Sequence, residues 1–236
     1  MSVAVHEPAV VLTDLVLAVL GAVLAWRLTG VGRVLMGGLA SAAFFGAIFH
    51  AFFPARTATT AGYLAWLPVA GSILVVAAAL LDMALSIFVT RLTPGPSPGN
   101  TDTRRAVALK YCILVCYCLL FVAVVLFVDE SFSTIVLLYA PALALGLGAA
   151  ALAAIRTRER AWTLVAVGLT LSAVAALLQQ ARVAIHPVLF DHNAVYHVVQ
   201  AAALVVLYLG FRNGRGLTDP GREPGEHVST DAGSVN

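Results

Sequence analysis

The chain has 236 residues, of which 61% are hydrophobic and 11% charged, and its mean hydropathy is +0.94. This composition excludes a water-soluble globule, and the net charge of +2 gives no indication of nucleic-acid binding. Long continuous apolar runs, in place of short alternating segments, predict membrane-spanning helices.

Seven apolar runs separated by polar residues predict seven helices, each long enough to span a bilayer. We expect these helices at about 9–28, 34–53, 64–90, 106–128, 132–155, 161–183 and 192–211. Most connections are short, so successive helices should pack as antiparallel neighbours. The predicted fold class is an all-α membrane protein, with a seven-helix bundle over 1–211. The Pro- and Gly-rich stretch 94–100 should be a loop, and 212–236 a disordered cytoplasmic tail.

The basic residues are unevenly divided between the two ends of this predicted bundle. Twelve of the fourteen lysines and arginines fall on one side, and only Arg56 and Arg182 fall on the other. Basic residues favour the cytoplasmic side of a membrane. We therefore expect an external amino terminus and a cytoplasmic carboxyl terminus, in a multi-pass protein of a bacterial plasma membrane.

Two groups of residues in the middle of the chain are expected to be structural. Cys112, Cys116 and Cys118 fall in one apolar run, and we interpret them as small core residues in preference to metal ligands. Asp82 lies toward the cytoplasmic end of the third helix, where Lys110 is the expected partner for its charge.

Three ionisable residues from different helices fall at one predicted depth. Asp14 lies about five residues into the first helix, His50 about three before the end of the second, and His197 about five into the seventh. Burying such groups is costly unless they are paired, hydrogen-bonded or metal-bound. We infer a shared polar pocket that opens to the outside. The alternative is that each side chain separately reaches water at its helix end.

The residue types in this pocket are typical of a zinc site. His50 and His197 are the main candidate ligands. His192 would have to reach the same ion from a turn before the helix, because five residues on one helix span about 140°. Four further residues are expected to orient the ligands by hydrogen bonds: Asp191, Asn193, Gln180 and Gln200.

The helix order and these histidines resemble the seven-transmembrane hydrolase superfamily of alkaline ceramidases and adiponectin-type receptors, the CREST superfamily. In that family, zinc held by histidines of the second and seventh helices activates the water that hydrolyses a lipid amide. His50 matches the second-helix ligand, and His197 matches the second member of the family's His-x3-His pair. Asn193 stands in place of the first member, and Gly46 in place of the family's serine.

This resemblance implies a zinc-dependent membrane hydrolase of a lipid amide or ester, with Asp14 as the candidate proton carrier. Membrane lipids are the expected partners and substrates. One alternative is a receptor or sensor that binds a lipid or small ligand in the same pocket without chemistry. Another is a transporter, with Asp14, the histidines and Asp82 as stations of a proton relay. A retinal protein is excluded, because its seventh helix would need a lysine.

Overall fold

The computed structural model describes residues 6–53, 56–92, 101–186 and 190–214. Within these residues the fold is helical and contains seven long helices: α1 Pro8–Trp26, α2 Gly30–Phe52, α3 Thr60–Leu92, α4 Thr101–Phe127, α5 Phe132–Thr157, α6 Arg160–Gln180 and α7 His192–Asn213. Each is long and apolar enough to cross a membrane. The predicted class of all-α, multi-pass membrane protein is thus confirmed. The predicted loop at 94–100 and almost all of the predicted tail lie outside the described residues.

Several helix ends differ from the predicted ones because capping chemistry, and not hydropathy, sets them. The α3 helix begins at Thr60, where the hydroxyl of Thr59 accepts a hydrogen bond from Gly62 N at 3.1 Å. The α6 helix, in contrast, ends earlier than predicted, at Gln180 instead of near residue 183. There Arg182 adopts a left-handed φ of 53°, and Val183 N donates to Leu178 O at 3.0 Å, which closes the helix.

The short connections bring alternate helix ends together, as predicted. At the end of the bundle where the chain begins, hydrogen bonds join α1 to α2, α3 to the α4–α5 turn, and α6 to α7. The bonded pairs are His6 N with Ala51 O at 3.3 Å, Trp66 Nε1 with Glu130 O at 2.8 Å, and Gln179 Nε2 with Asn193 Oδ1 at 3.0 Å. We call this the amino-terminal end of the bundle.

The tightest helix packing depends on small residues. A Cβ added at Gly210 on α7 would lie 2.9 Å from the backbone nitrogen of Val165 on α6, and one added at Gly21 would lie 3.0 Å from the Cβ of Ala40. Such contacts are available only where a side chain is missing or very short. They place α7 close against α6, and α1 close against α2.

The interpretation of the cysteines as core residues is wrong for two of the three. Cys112 and Cys116 are exposed on the surface of α4, and Cys118 is half-buried. Only 11% of the most apolar stretch of α4 is buried in the protein, because α4 packs mainly against α3 and leaves its other faces open. Apolar residues on a membrane helix need no burial in protein, so hydropathy alone does not identify a core position.

At the opposite end of the bundle, the expected pairing of Asp82 with Lys110 is confirmed. Lys110 Nζ lies 2.6 Å from Asp82 Oδ1 and also donates to the hydroxyl of Ser86 at 2.8 Å. The pair joins α3 to α4, and it satisfies both charges without any contribution from the amino-terminal end.

Candidate functional site: a cavity at the amino-terminal end

A cavity of 420 Å³ lies inside the amino-terminal end of the bundle and is lined by residues from α1, α2, α3, α5, α6 and α7. One wall is apolar and comes largely from α3 and α5, with Ile73, Val76, Ile135 and Val136. The other walls carry polar side chains from α1, α2, α6 and α7. This size and this division between apolar and polar lining are typical of a site for a small organic ligand.

The polar wall is centred on a contact between α1 and α7. Asp14 Oδ1 lies 3.0 Å from Nε2 of His197, and the side chains of both residues are at least nine-tenths buried. Both line the cavity. This contact satisfies one hydrogen-bonding atom of each buried group, Oδ1 of the carboxylate and Nε2 of the imidazole.

The second nitrogen of His197 is also engaged. Nδ1 lies 2.8 Å from the hydroxyl of Thr13, the residue directly before Asp14. The Thr13 hydroxyl donates to the backbone carbonyl oxygens of Ala9 and Val10, both at 3.0 Å, so it accepts a hydrogen bond from Nδ1 of His197. Two consecutive residues of α1 therefore hold both edges of one imidazole and determine its orientation.

The second oxygen of Asp14 is accessible from the cavity. Asp14 Oδ2 makes no hydrogen bond to a described residue. Among the described residues, Thr103 Oγ1 is the one fully buried side-chain polar atom without a hydrogen-bond partner. Oδ2 is therefore not fully buried, and it is in reach of the cavity. Gly46 provides the room, because a Cβ at this position would lie 3.1 Å from Oδ2.

His50 makes a different contact, nearer the mouth of the cavity. Its Nδ1 lies 2.5 Å from Oε2 of Glu7, and the two side chains are 19% and 39% exposed. Glu7 is the N-cap residue of α1, and its backbone has a left-handed φ of 50°. Its side chain makes no capping hydrogen bond. The carboxylate reaches across to α2 instead of capping its own helix.

The first turns of α7 supply the remaining polar lining. Asp191 is its N-cap, and Oδ1 accepts from the backbone nitrogens of Asn193 at 3.0 Å and Ala194 at 2.9 Å. Gln200 is buried, and its amide donates to the hydroxyl of Ser172 on α6 at 3.2 Å. His192, the first residue of the helix, is half-buried and lines the cavity.

Comparison with known proteins gives a family but no described relative. The sequence matches the profile of a family of unknown function, DUF6962, over residues 9–216. The chain belongs to the DUF6962 family. No curated protein and no solved structure matches it. The DUF6962 region runs from the first turn of α1 to just past the end of α7, so it contains Asp14, His50 and His197, whereas Glu7 lies just before it.

The structure brings the predicted site residues to one cavity but pairs them in ways that the sequence did not indicate. All eight predicted residues line the cavity: Asp14, His50, His192, His197, Asp191, Asn193, Gln180 and Gln200. Asp14 and His197 meet directly, whereas His50 pairs with Glu7. The sequence reasoning missed Thr13, Glu7 and Ser172. Glu7 precedes the first apolar run, and the two hydroxyls lie within apolar runs where such residues commonly bond to their own helix.

The residues present are of the kind that zinc takes, and two features of their placement bear on the predicted zinc site. Imidazole nitrogens and carboxylate oxygens are the usual ligands. In the described ranges, no group of three or more His, Cys, Asp or Glu side chains is placed to hold one ion. Both nitrogens of His197 are hydrogen-bonded within the protein, so His197 would have to give up Asp14 or Thr13 to bind a metal.

Proposed function

We propose that the cavity at the amino-terminal end is a binding site for the polar end of a membrane lipid or another amphiphile, and that the protein acts as a seven-helix receptor or sensor for this ligand. The observation that carries the proposal is the buried pair of Asp14 and His197 in a cavity that α3 and α5 line largely with apolar side chains. Ionisable groups placed inside a membrane bundle are costly, and they generally mark ligand or ion sites.

The division of the cavity walls supports an amphiphile over a uniformly polar solute. Side chains of α3 and α5 offer an apolar surface for a hydrocarbon segment, while α1, α6 and α7 offer hydrogen-bonding groups for a headgroup. Apolar contact supplies most of the binding free energy in such sites, and a few polar groups determine orientation and specificity.

In the proposed topology, the cavity opens to the outside of a bacterial plasma membrane. The distribution of basic residues supports this orientation, since twelve of fourteen belong to the opposite side of the bundle. Reporter enzymes fused after Asn236 test this orientation. A reporter that is active only in the cytoplasm should be active at this position. Activity of a periplasm-dependent reporter at this position would reverse the orientation.

Membrane-lipid binding is tested by native mass spectrometry of the full chain, purified in a mild detergent. Ala176 is half-buried and lines the cavity, so Ala176→Phe should fill space and reduce co-purifying lipid. Val174, on the same helix, is 40% exposed and lies outside the cavity lining, so Val174→Phe is the matched control. Equal lipid retention in the two variants would contradict the proposal.

A hydrolase of a lipid amide or ester is the second candidate, and the open oxygen of Asp14 favours it. A general base must reach the water or the group from which it takes a proton, and Oδ2 has that access while Oδ1 is held by His197. The matches of His50 and His197 to the ceramidase and adiponectin-receptor pattern also support this candidate. Asp14 would accept a proton from the water that attacks the carbonyl group and return it to the amine or alcohol that leaves when the amide or ester bond breaks.

Zinc remains a prediction of this second candidate, and elemental analysis of the purified protein tests it. A zinc-dependent hydrolase should carry close to one zinc per chain, and His50→Ala should lower that content. A content near zero that is the same in wild type and His50→Ala would remove zinc from the hypothesis. Retention of lipid in the presence of a chelator would then favour the receptor or sensor.

A further inference from the structure

Several polar atoms of the cavity lining have no hydrogen-bond partner among the described residues. They include Asp14 Oδ2, Gln200 Oε1 and the hydroxyl oxygens of Tyr139 and Tyr196. These atoms are not fully buried, since Thr103 Oγ1 is the one fully buried side-chain polar atom without a partner in the described ranges. Polar atoms inside a bundle that keep contact with a cavity are available to a ligand.

Asp14 Oδ2 is a hydrogen-bond acceptor wherever the proton between Asp14 and His197 lies. His197 Nδ1 donates to Thr13, so one further proton is shared by Nε2 and Asp14 Oδ1. When this proton is on the ring, Asp14 is a carboxylate. When it is on Oδ1, Oδ2 is the carbonyl oxygen of a carboxylic acid. Both forms leave Oδ2 without a proton and the pair without a net charge.

The other ionisable groups of the lining do not place an unpaired charge beside this pair. Glu7 and His50 lie against each other, and Asp191 accepts from backbone nitrogens at the start of α7. Arg182 is exposed beyond the last turn of α6. A charged headgroup at the pair would therefore lose its hydration without gaining a counterion, which is costly inside a membrane bundle.

A hydroxyl group matches the open atoms of the lining better than a charged headgroup does. It can donate to Asp14 Oδ2 or Gln200 Oε1 while it accepts from a tyrosine hydroxyl, because a hydroxyl both donates and accepts. An ammonium group has no acceptor, and an ionised carboxylate has no donor. An ether oxygen accepts but does not donate, so it leaves Oδ2 without a partner.

From this arrangement we infer that the ligand of the cavity is an uncharged amphiphile with a hydroxyl headgroup, such as a fatty alcohol or an acylglycerol. Its hydroxyl group donates to Asp14 Oδ2, and its hydrocarbon chain lies on the apolar side chains of α3 and α5. The inference rests on the proposed amphiphile site and specifies its ligand class. Gly46 is then a specificity-determining position, because a Cβ there would lie 3.1 Å from Oδ2 and narrow the approach to it.

The test compares four tritium-labelled probes that share one dodecyl chain: dodecan-1-ol, its methyl ether, dodecylamine and dodecanoic acid. Binding to the full chain in a mild detergent is measured at about pH 7, where the amine and the acid are charged. Binding that persists in Ala176→Phe, whose new side chain fills the cavity, is subtracted as background. Dodecan-1-ol should bind about 10-fold more tightly than each of the other probes, because only the alcohol is both uncharged and a donor.

Two results would contradict the inference in different ways. Equal or tighter binding of the ether, the amine or the acid would overturn the hydroxyl headgroup and leave the amphiphile site intact. Failure of all four probes to bind above the Ala176→Phe background would overturn the amphiphile site as well.

Two variants that retain Asp14 locate the preference for the alcohol over the ether. Gly46→Ala crowds Oδ2 and should reduce this preference, whereas Gly148→Ala, outside the lining and with nothing within 4 Å of its Cβ, should preserve it. Tyr196→Phe removes an open hydroxyl and should weaken binding of the alcohol, whereas Tyr111→Phe, at an exposed position on α4, should not. An alcohol preference that is unchanged in both Gly46→Ala and Tyr196→Phe would overturn the assignment.

Discussion

The carboxylate of Asp14 on α1 lies directly against Gly46 on α2, where a Cβ would be 3.1 Å from Oδ2. A carboxylate from another helix thus occupies the space that a side chain at position 46 would fill. The glycine therefore belongs to the site, because it leaves one oxygen of Asp14 open while His197 holds the other.

The contact of Asp14 with His197 should contribute measurably to stability. His197→Ala leaves the carboxylate without its ring partner, and we expect a loss of about 1.5–3 kcal/mol, the range for hydrogen bonds to charged groups. A double-mutant cycle with Asp14→Ala, measured by unfolding in detergent, isolates the pair. The double variant should lose less than the sum of the two single losses. Strict additivity would show that the two side chains do not stabilise each other.

The packing of α7 on α6 should depend on Gly210. In Gly210→Ala the new methyl group would lie 2.9 Å from the backbone nitrogen of Val165, which cannot move without its helix. We expect a loss of about 1–3 kcal/mol, typical of overpacking. Gly148→Ala on α5 is the control, because a Cβ there meets nothing within 4 Å. It should be neutral or stabilising by up to about 1 kcal/mol. Equal unfolding midpoints for the two variants would contradict the described helix contact.

The ion pair at the opposite end should matter less than the Asp14 contact. Lys110 is 13% exposed and Asp82 36% exposed, so solvent screens the attraction. Lys110→Met should cost about 1 kcal/mol, because it leaves Asp82 unpaired. Asp82→Asn together with Lys110→Met should restore part of that loss, as measured by unfolding in detergent. A double variant less stable than Lys110→Met alone would argue against the pairing as the cause.

The turn between α4 and α5 should make a pH-dependent contribution to the stability of the folded protein. Hydrogen bonds from Thr134 and Ser131 hold the pKa of Asp129 below its ordinary value. A carboxyl group whose pKa is lower in the folded than in the unfolded state stabilises above the unfolded pKa, and this contribution disappears as pH falls through the folded pKa. The melting temperature of the wild type should therefore be higher than that of Asp129→Asn at pH 7. The difference between the two melting temperatures should shrink below about pH 4. A constant difference from pH 7 to pH 3 would contradict this assignment.

Hydropathy determined the membrane class, the seven spans and their order, because each run must cover the hydrocarbon core by itself. The short connections also determined which helix ends meet, so the sequence correctly predicted that Asp14, His50 and His197 would line one cavity. Depth along a helix follows from counting residues, at about 1.5 Å each.

Only the tertiary structure decided the partners within that cavity. The direction of a side chain around its helix axis depends on which neighbour packs there, and the small residues at Gly210 and Gly46 set this by close contact. His197 consequently faces Thr13 and Asp14, while His50 faces Glu7. For the same reason Cys112 lies on the exposed side of α4, since an apolar run has equal hydropathy on its lipid-facing and protein-facing sides.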